Sequence, residues 1–210
     1  MPWVDIGRNI VVPFAFVAFA VYLIILRSRF AKQNAYLEKM NSTLERHSTI
    51  DDMTGLINRR HLEFEIEREI ERARRYHRPL SGLMVDIDNF NQVNERYGHL
   101  TGDVVLTQMA SMLRQGIRKI DIVGRYGGDK FIIVLPEATL EGAKVVAARI
   151  QEGVRAFSAN PPVPQLAVTV SIGLFFFQEV EKLTKVAFME KVDLAMLKAK
   201  QAGKNRITSG

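Results

Sequence analysis

The chain of 210 residues contains no cysteine and only one tryptophan. The absence of cysteine excludes disulfide bonds, thiol catalysis and cysteine-ligated metals. Although the net charge is +6, there is no basic stripe with interleaved aromatic residues, and nucleic acid is therefore not an expected partner. The sequence also lacks internal repeats and low-complexity tracts, and its length suits one domain of about 150–170 residues with an appendage.

The longest apolar run covers residues 10–26 and is just long enough to span a lipid bilayer as a helix. Arg27, Arg29 and Lys32 follow the run directly. Because basic residues collect on the cytoplasmic side of a membrane, we expect residues 1–9 outside the cytoplasm and the rest of the chain inside it. Basic residues after the run, rather than before it, also favour an uncleaved single-pass anchor over a signal peptide.

Residues 27–50 are mostly polar, with apolar side chains seven positions apart at Phe30, Leu37 and Leu44. This spacing is typical of a coiled coil, but here it covers fewer than three heptads. The segment is therefore expected to be a helical linker, either half of a parallel dimer stalk or one helix laid against the domain. Residues 51–210 then remain for the folded domain.

The segment 51–210 alternates helical and strand patterns. Apolar residues at helical spacing and short β-rich runs define its elements. Helices are predicted at 60–77, 102–117, 140–156 and 185–202, and strands at 80–87, 121–126, 131–135, 168–177 and 206–208. The order of these elements predicts an α+β fold, in which helices flank an antiparallel sheet with ferredoxin-like topology.

Two glycines, Gly127 and Gly128, join two β-rich segments and are followed by Asp129. A Gly-Gly pair alone is most often only a hairpin turn, but it also lets a phosphate approach the backbone closely. Another strand ends upstream in the carboxylates of Asp86 and Asp88. Carboxylates at strand ends commonly hold metal ions at the rim of a sheet. Together, the two strand ends predict a site for a phosphorylated ligand and a metal.

Seven segments of the chain share their residues, order and spacing with one known family. They are 51–60, which begins Asp51-Asp52-Met53-Thr54-Gly55-Leu56, and 86–90, 94–99, 102–103, 125–129, 170–173 and 199–206. These segments resemble the motifs of GGDEF domains, the diguanylate cyclases of bacteria, which join two GTP molecules into cyclic di-GMP. The resemblance implies the nucleotidyl-cyclase palm fold. It also implies a bacterial protein, whose predicted anchor would lie in the inner membrane.

The resemblance implies a role for each residue that matches the catalytic motifs. Asp86 and the carbonyl of Ile87 would bind Mg²⁺, and Asp129 would serve both metal binding and catalysis. Gly127 and Gly128 would lie against the substrate GTP. Mg²⁺ is therefore the expected cofactor if the GTP site is functional.

Four further residues match positions that hold the nucleotide in the family. Asn94 and Asp103 would hydrogen-bond the guanine edge, where an amide and a carboxylate suit the mixture of donors and acceptors. Taken alone, these two residues would more often be helix caps or turn residues, and their spacing to Asp86 is what favours guanine. Lys200 and Lys204 would hold the triphosphate.

The sequence departs from the family at two positions of the expected active site. Lys130 replaces the glutamate of the signature, and Asn91 replaces a lysine that steadies phosphate charge in the family. Two like unit charges about 4 Å apart repel by about 4 kcal/mol at an effective dielectric constant of about 20. A lysine beside a Mg²⁺ site should therefore weaken metal binding, and we expect a weak or inactive cyclase. Alternatively, Lys130 lies along the triphosphate, so that GTP binds without turnover.

Arg118 and Asp121 form an Arg-x-x-Asp sequence upstream of the Gly-Gly pair. Such a sequence is usually only a surface ion pair at a helix end. In the family, it lies at this spacing in the site where the product cyclic di-GMP binds as an inhibitor, and Arg149 matches a second arginine of that site. Arginine suits this ligand because its planar fork binds guanine and phosphate through pairs of hydrogen bonds.

Three hypotheses follow for the function. The first is a membrane-anchored cyclic di-GMP receptor, because the Arg-x-x-Asp site is retained where catalytic residues are replaced. The second is a low-activity diguanylate cyclase, since Asp129 is retained, with one GTP held by each subunit of a dimer. The third is a scaffold that binds GTP and regulates another GGDEF protein as a heterodimer. We favour the receptor, with a homodimer or such a heterodimer as the expected assembly.

Overall fold

The computed structural model of the protein describes residues 19, 22–33 and 48–210. Residues 22–33 are helical. Most of the predicted membrane span at 10–26 lies outside the described residues, as does most of the predicted linker. Among the residues that are described, no helix is both long and apolar enough to cross a bilayer. The membrane span at residues 10–26 and the coiled-coil spacing in the linker at residues 27–50 therefore stay predictions.

Residues Thr49–Gly210 form a compact unit that contains every strand of the described chain. Its helices are α1 (Arg59–Tyr76), α2 (Phe90–Tyr97), α3 (His99–Gly116), α4 (Leu140–Ala159) and α5 (Lys185–Gln201). Its strands are β1 (Leu80–Ile87), β2 (Ile122–Gly127), β3 (Lys130–Pro136), β4 (Val170–Phe177) and β5 (Ile207–Ser209). The predicted alternation of helices and strands is confirmed, and the short helix α2 is an addition that the sequence pattern does not predict.

The strands of this unit form one sheet in the order β2-β3-β1-β4-β5. Neighbouring strands run antiparallel except for the last pair, in which β5 runs parallel to β4. The prediction of an antiparallel sheet is confirmed for four strands, and β5 makes the whole sheet mixed. The connection is the reason, because α5 crosses over between β4 and β5 and returns the chain in the same direction.

The central strand β1 is buried along its whole length and separates two hydrophobic cores. Leu83, Val85 and Ile87 belong to the core that contains the buried faces of α3 and α4. Leu80 and Met84 belong to the core on the other side, together with the buried faces of α1 and α5. Because side chains alternate along a strand and both faces are covered, β1 is apolar in the sequence except for Ser81 and Asp86.

Two glycines let α5 lie directly on the sheet. A Cβ atom on Gly173 of β4 would be 2.0 Å from the backbone nitrogen of Met196 in α5. A Cβ atom on Gly82 of β1 would be 2.4 Å from the ring of Phe188 in the same helix. Both distances are far below van der Waals contact, so neither position can hold a side chain without moving the helix. This close packing brings the polar end of α5 to the end of β1, where the candidate site lies.

Candidate functional site

A surface cleft of about 280 Å³ opens at the end of β1, and we refer to it as the β1 cleft. The end of β1, the start of α2, the turn between β2 and β3, and the end of α5 all contribute to its walls. Its lining residues are Ile87, Asn89, Phe90, Asn91, Gln92, Asp129, Lys200 and Lys204. The tertiary structure therefore brings together predicted site residues that are far apart in the sequence: Ile87, Asn91, Asp129, Lys200 and Lys204.

Asp86 is buried at the end of β1, next to the cleft. Its Oδ1 lies 2.6 Å from Nζ of Lys200, a residue of α5. Within the described residues, however, neither carboxylate oxygen of Asp86 accepts a hydrogen bond of good geometry. Burial raises the pKa of Asp86 above its ordinary value, and the contact with Lys200 opposes this rise only in part. A buried carboxylate without well-formed hydrogen bonds destabilises the fold, and such destabilising groups are common at functional sites.

The turn between β2 and β3 places Asp129 beside the end of β1. Gly127 and Gly128 have positive φ angles of 154° and 54°, which residues with a side chain rarely adopt. A Cβ atom on either glycine would meet no atom within 4 Å, so the space in front of the turn is open to a ligand. The N–H of Ile87 donates to the carbonyl oxygen of Asp129 at 3.3 Å and joins the turn to β1.

Arg125 holds this turn in place, a role that the sequence pattern does not predict. Its Nε and Nη2 donate to the carbonyl oxygen of Gly128 at 3.0 and 2.9 Å, and its Nη1 lies 3.3 Å from Oδ1 of Asp51. Burial raises the pKa of Asp51, but hydrogen bonds from Thr54 and the charge of Arg125 outweigh this effect and hold the pKa below its ordinary value. Arg125 therefore ties the turn to the start of the domain.

Asp88, the second carboxylate at the end of β1, has a structural role rather than a ligand-binding one. It accepts hydrogen bonds from the hydroxyls of Thr169 and Ser171 at 2.7 and 2.6 Å, and from the N–H of Asn205 at 3.0 Å. Its hydrogen-bonding capacity is largely used by these three donors. The bond from Asn205 fixes the loop after α5, which presents Lys204 to the β1 cleft.

Asn94 and Asp103, the predicted guanine-binding residues, lie on the consecutive helices α2 and α3 and are half-buried. A Cβ atom on Gly102 would be 1.9 Å from Oδ1 of Asn94, so the glycine leaves the space that the amide side chain occupies. Neither Asn94 nor Asp103 lines the β1 cleft. Their role in binding guanine stays a prediction.

Lys130 lies opposite Asp86 in the ladder between β1 and β3, so both side chains leave the sheet on the same side. On that side, Nζ of Lys130 is 3.7 Å from Oδ1 of Asp193 in α5. The side chains of this ion pair are 37% and 49% exposed, respectively. Lys130 is therefore a partly exposed cation paired with α5, and it is not among the residues that line the β1 cleft.

Arg118 and Asp121 form a second candidate site after the end of α3. The Nε and Nη2 of Arg118 donate to Oδ1 of Asp121 at 3.1 and 2.8 Å, and Nη2 also donates to the carbonyl oxygen of Pro136 at 3.1 Å. The side chain of Asp121 is fully buried, whereas that of Arg118 is 49% exposed. In the described part of the chain, Nη1 of Arg118 meets no acceptor. A buried carboxylate therefore holds the guanidinium in one orientation and leaves its Nη1 edge open.

Next to this pair, an open cleft of about 360 Å³ runs between the start of the domain and the end of α3. Arg114, Arg118, Lys119 and Asp121 are among its lining residues. Arg149 is not, because its Nη1 donates to the carbonyl oxygen of Gly116 at 3.2 Å. The predicted partnership of Arg149 with Arg118 therefore stays a prediction.

Comparison with known proteins assigns the chain to a family. The family described as diguanylate cyclase, GGDEF domain, matches residues 48–206. The chain belongs to this family. The probable diguanylate cyclase DgcC of Escherichia coli is 34% identical over 159 residues, which are 76% of this chain and 42% of DgcC. The response regulator PleD of Caulobacter vibrioides is 35% identical over 159 residues, which are 75% of this chain and 35% of PleD. The chain therefore matches less than half the length of either relative.

Solved structures of GGDEF proteins share the fold. Diguanylate cyclase SiaD of Pseudomonas aeruginosa was solved with its activator SiaC. Its structure matches with a TM-score of 0.73 at 30% identity, and the match covers 100% of this chain and 85% of the SiaD chain. The structure of the coiled coil and GGDEF domain of DgcB from Caulobacter crescentus was solved with cyclic di-GMP. It matches with a TM-score of 0.70 at 29% identity, and the match covers 88% of this chain and 99% of the DgcB chain. The expected GGDEF fold is confirmed.

Diguanylate cyclases generally use Mg²⁺, a cation that prefers oxygen ligands. In the part of this GGDEF domain that the structure describes, no three His, Asp or Glu side chains are grouped so that they could bind a metal. One oxygen of Asp86 contacts Lys200, and Lys130 stands where the family has a third carboxylate. The residues as arranged do not fit a Mg²⁺ site. The metal-binding roles of Asp86, Ile87 and Asp129 therefore stay a prediction.

Proposed function

We propose that this chain is a cyclic di-GMP receptor whose GGDEF domain has little or no cyclase activity. The observation that carries the proposal is the fixed guanidinium of Arg118. The buried carboxylate of Asp121 orients it through Nε and Nη2, whereas Nη1 meets no acceptor among the described residues, and Arg118 lines an open cleft. Because the arginine is ordered before a ligand arrives, binding loses little side-chain entropy.

The chemistry of cyclic di-GMP suits this arrangement. The ligand offers phosphate oxygens and the acceptor edge of guanine, and the N–H groups of Arg118 Nη1, which meet no acceptor in the described part of the chain, can donate to either group. Arg114 and Lys119 line the same cleft and add positive charge for an anionic ligand. The DgcB relative was solved in complex with cyclic di-GMP, which also supports this assignment.

The low cyclase activity in this proposal rests on the β1 cleft. Lys130 and Asn91 each change the local charge relative to the family, and both changes oppose turnover. The lysine adds positive charge beside the expected metal site, and the asparagine removes a cation from the cleft wall, where phosphate charge needs neutralising. A receptor needs neither residue to be catalytic, so the proposal accounts for both replacements.

Calorimetric titration of the full chain in detergent with cyclic di-GMP tests the receptor. We expect saturable binding by the unmodified chain and a loss of about tenfold or more in affinity for Arg118→Ala, because the substitution removes an ordered guanidinium and its charge-assisted hydrogen bonds. Arg155→Ala is the matched control, since Arg155 is an exposed arginine that pairs with Glu152 at the same three-residue spacing. Absence of binding by the unmodified chain, or equal affinities of the two variants, would contradict the proposal.

A low-activity diguanylate cyclase is the second candidate function. It is favoured by Asp129, which lines the β1 cleft together with Lys200 and Lys204. Incubation of the full chain with GTP and Mg²⁺, followed by chromatography, would detect cyclic di-GMP as the product. If GTP binds and no product forms, a regulatory scaffold that pairs with another GGDEF protein is supported instead. The SiaD relative was solved in complex with its activator SiaC, so a cyclase of this fold can bind a regulatory protein.

We further propose that residues 10–26 anchor the domain in the inner membrane and that residues 27–50 support a dimer. The apolar run and the basic residues after it support the anchor, and the heptad spacing supports the dimer. Membrane fractionation of the full chain, with a carbonate wash to remove peripheral proteins, tests the anchor. Recovery of the chain in the wash would contradict it.

A further inference from the structure

Four charged residues at the edge of the β1 cleft form two ion pairs between the sheet and α5. Lys200 Nζ lies 2.6 Å from Oδ1 of Asp86, and Lys130 Nζ lies 3.7 Å from Oδ1 of Asp193. We refer to Asp86, Lys130, Asp193 and Lys200 as the charge cluster. Each strand residue in it pairs with the helix residue of opposite sign.

The fold explains why these four side chains meet. Asp86 and Lys130 are directly opposite each other in adjacent strands, so both point to the side of the sheet that α5 covers. Asp193 and Lys200 are seven positions apart in α5, which is about two helical turns, so both lie on the same face of the helix. Helix α5 therefore places the carboxylate of Asp193 near Lys130 and the ammonium group of Lys200 near Asp86.

The charge cluster changes what the cleft can hold. Together with Asp129 and Lys204 of the cleft wall, the cluster places three ammonium groups, those of Lys130, Lys200 and Lys204, against three carboxylates, those of Asp86, Asp129 and Asp193. With glutamate at position 130, as in the family, two ammonium groups would face four carboxylates. A polyphosphate could then approach only together with a divalent cation, because like charges at short range repel strongly. With lysine, the protein itself supplies the positive charge.

The ion pair of Lys130 is weak enough to exchange for a ligand. Its two charged atoms are 3.7 Å apart and both side chains are more than a third exposed, at 37% and 49%. Exposed pairs of this kind contribute little to stability. Lysine also has a long flexible stem, so its ammonium group can move from Asp193 to a phosphate without a change in the backbone.

We propose that Lys130 is a polyphosphate-binding residue and that, with Lys200 and Lys204, it lets the β1 cleft hold a nucleoside triphosphate without a divalent cation. Asp193 is the partner of the Lys130 ammonium in the absence of a ligand, and an incoming phosphate displaces it. This site is separate from the Arg118 site, and the proposal does not depend on cyclic di-GMP binding.

Titration of the full chain with GTP, once in excess EDTA and once with Mg²⁺, tests the proposal. We expect the unmodified chain to bind GTP in EDTA with an affinity within about threefold of that in Mg²⁺. Lys130→Glu should lose about tenfold or more in EDTA and regain affinity when Mg²⁺ is added, since its carboxylate now needs a cation. Lys144→Glu is the matched control, because Lys144 is an exposed lysine of α4 in an ion pair with Glu141, outside the cleft.

Two further titrations identify which part of GTP the chain binds and test the role of Asp193. ATP and inorganic tripolyphosphate replace GTP in the EDTA titration, and binding of tripolyphosphate alone would show that the phosphate chain suffices. Asp193→Asn should bind GTP in EDTA about two- to fivefold more tightly, because it removes a competing carboxylate. Unchanged or weaker affinity in this variant would show that Asp193 does not compete with the ligand for Lys130, and would overturn the exchange of partners.

Controls separate this proposal from loss of fold and from the receptor proposal. The melting temperature of each variant is measured first. Only variants that melt at the same temperature as the unmodified chain are used in the titrations. If Lys130→Glu is unfolded, Lys130→Met replaces it. Cyclic di-GMP is titrated in a separate cell and should bind Lys130→Glu as it binds the unmodified chain. If the unmodified chain binds GTP in Mg²⁺ but not in EDTA, the proposal of metal-independent binding is wrong.

Discussion

Asp86 and Lys130 are direct cross-strand neighbours, and each forms an ion pair with a different residue of α5. A carboxylate and an ammonium group directly opposite each other on one face of a sheet would usually pair together. Here α5 separates them, because its face carries Lys200 near Asp86 and Asp193 near Lys130. The replacement of glutamate by lysine at position 130 is therefore matched to its surroundings and does not leave an isolated charge.

The double variant Lys130→Glu with Asn91→Lys is expected to raise Mg²⁺-dependent formation of cyclic di-GMP by about tenfold or more. The first change restores a carboxylate beside Asp86 and Asp129, and the second restores a cation in the cleft wall. Product is measured by chromatography after incubation with GTP. Lys144→Glu should leave the product level unchanged, and a double variant no more active than the unmodified chain would refute the charge argument.

Asp86→Asn is expected to make the GGDEF domain more stable at neutral pH. Burial raises the pKa of Asp86 in the folded state, so the charged carboxylate destabilises the fold at any pH above that raised value. An amide removes this cost, on the order of 1 kcal/mol, which corresponds to about 2–4 °C in melting temperature for a domain of this size. Thermal melts of the variant and of the unmodified chain measure the difference.

The pH dependence of this difference provides a stricter test. The advantage of Asp86→Asn should be largest at neutral pH and should shrink as the pH falls towards the ordinary carboxyl value of 3.8, because the unmodified Asp86 then becomes protonated in the folded state. Asp52→Asn changes an exposed carboxylate and serves as the control. An advantage that grows with acidity would contradict the raised pKa.

Asp88→Asn is expected to destabilise the domain by about 2–3 kcal/mol. The amide keeps the size of the side chain but loses the charge that accepts hydrogen bonds from Thr169, Ser171 and Asn205. Because Asn205 belongs to the loop that carries Lys204, the variant should also bind GTP more weakly. Urea denaturation measures the first effect and calorimetry the second. A variant as stable as the unmodified chain would show that the three bonds contribute little.

Gly173→Ala is expected to destabilise the domain by about 1–3 kcal/mol or more, because the added methyl group would overlap the backbone of α5. Gly142→Ala is the contrasting substitution, since its Cβ atom would be 3.5 Å from Oγ1 of Thr139, an ordinary contact in the first turn of α4. Helix propensity should make this second variant as stable as the unmodified chain or slightly more so. Thermal melting of both variants distinguishes the two sites.

The sequence alone determined the elements whose signals are local. The predicted strand at 80–87 has the observed bounds of β1, because a central strand with both faces buried is mostly apolar along its length. The predicted helix at 102–117 begins three residues earlier than expected, at His99, since the break is made by Gly98 with its positive φ of 83°. Helix α2 was not predicted, because eight residues are too few to establish a helical period.

The sequence also identified which residue types belong to the site, since Ile87, Asn91, Asp129, Lys200 and Lys204 line one cleft. Only the tertiary structure decided how the charges are paired. Arg125 meets Asp51 from 74 positions away, and Lys130 meets Asp193 across the packing of a helix on a sheet. Such partners depend on how closely α5 lies on β1 and β4, which Gly82 and Gly173 permit. Spacing along the chain carries no information about a contact made by that packing, because the contact depends on distances across the fold.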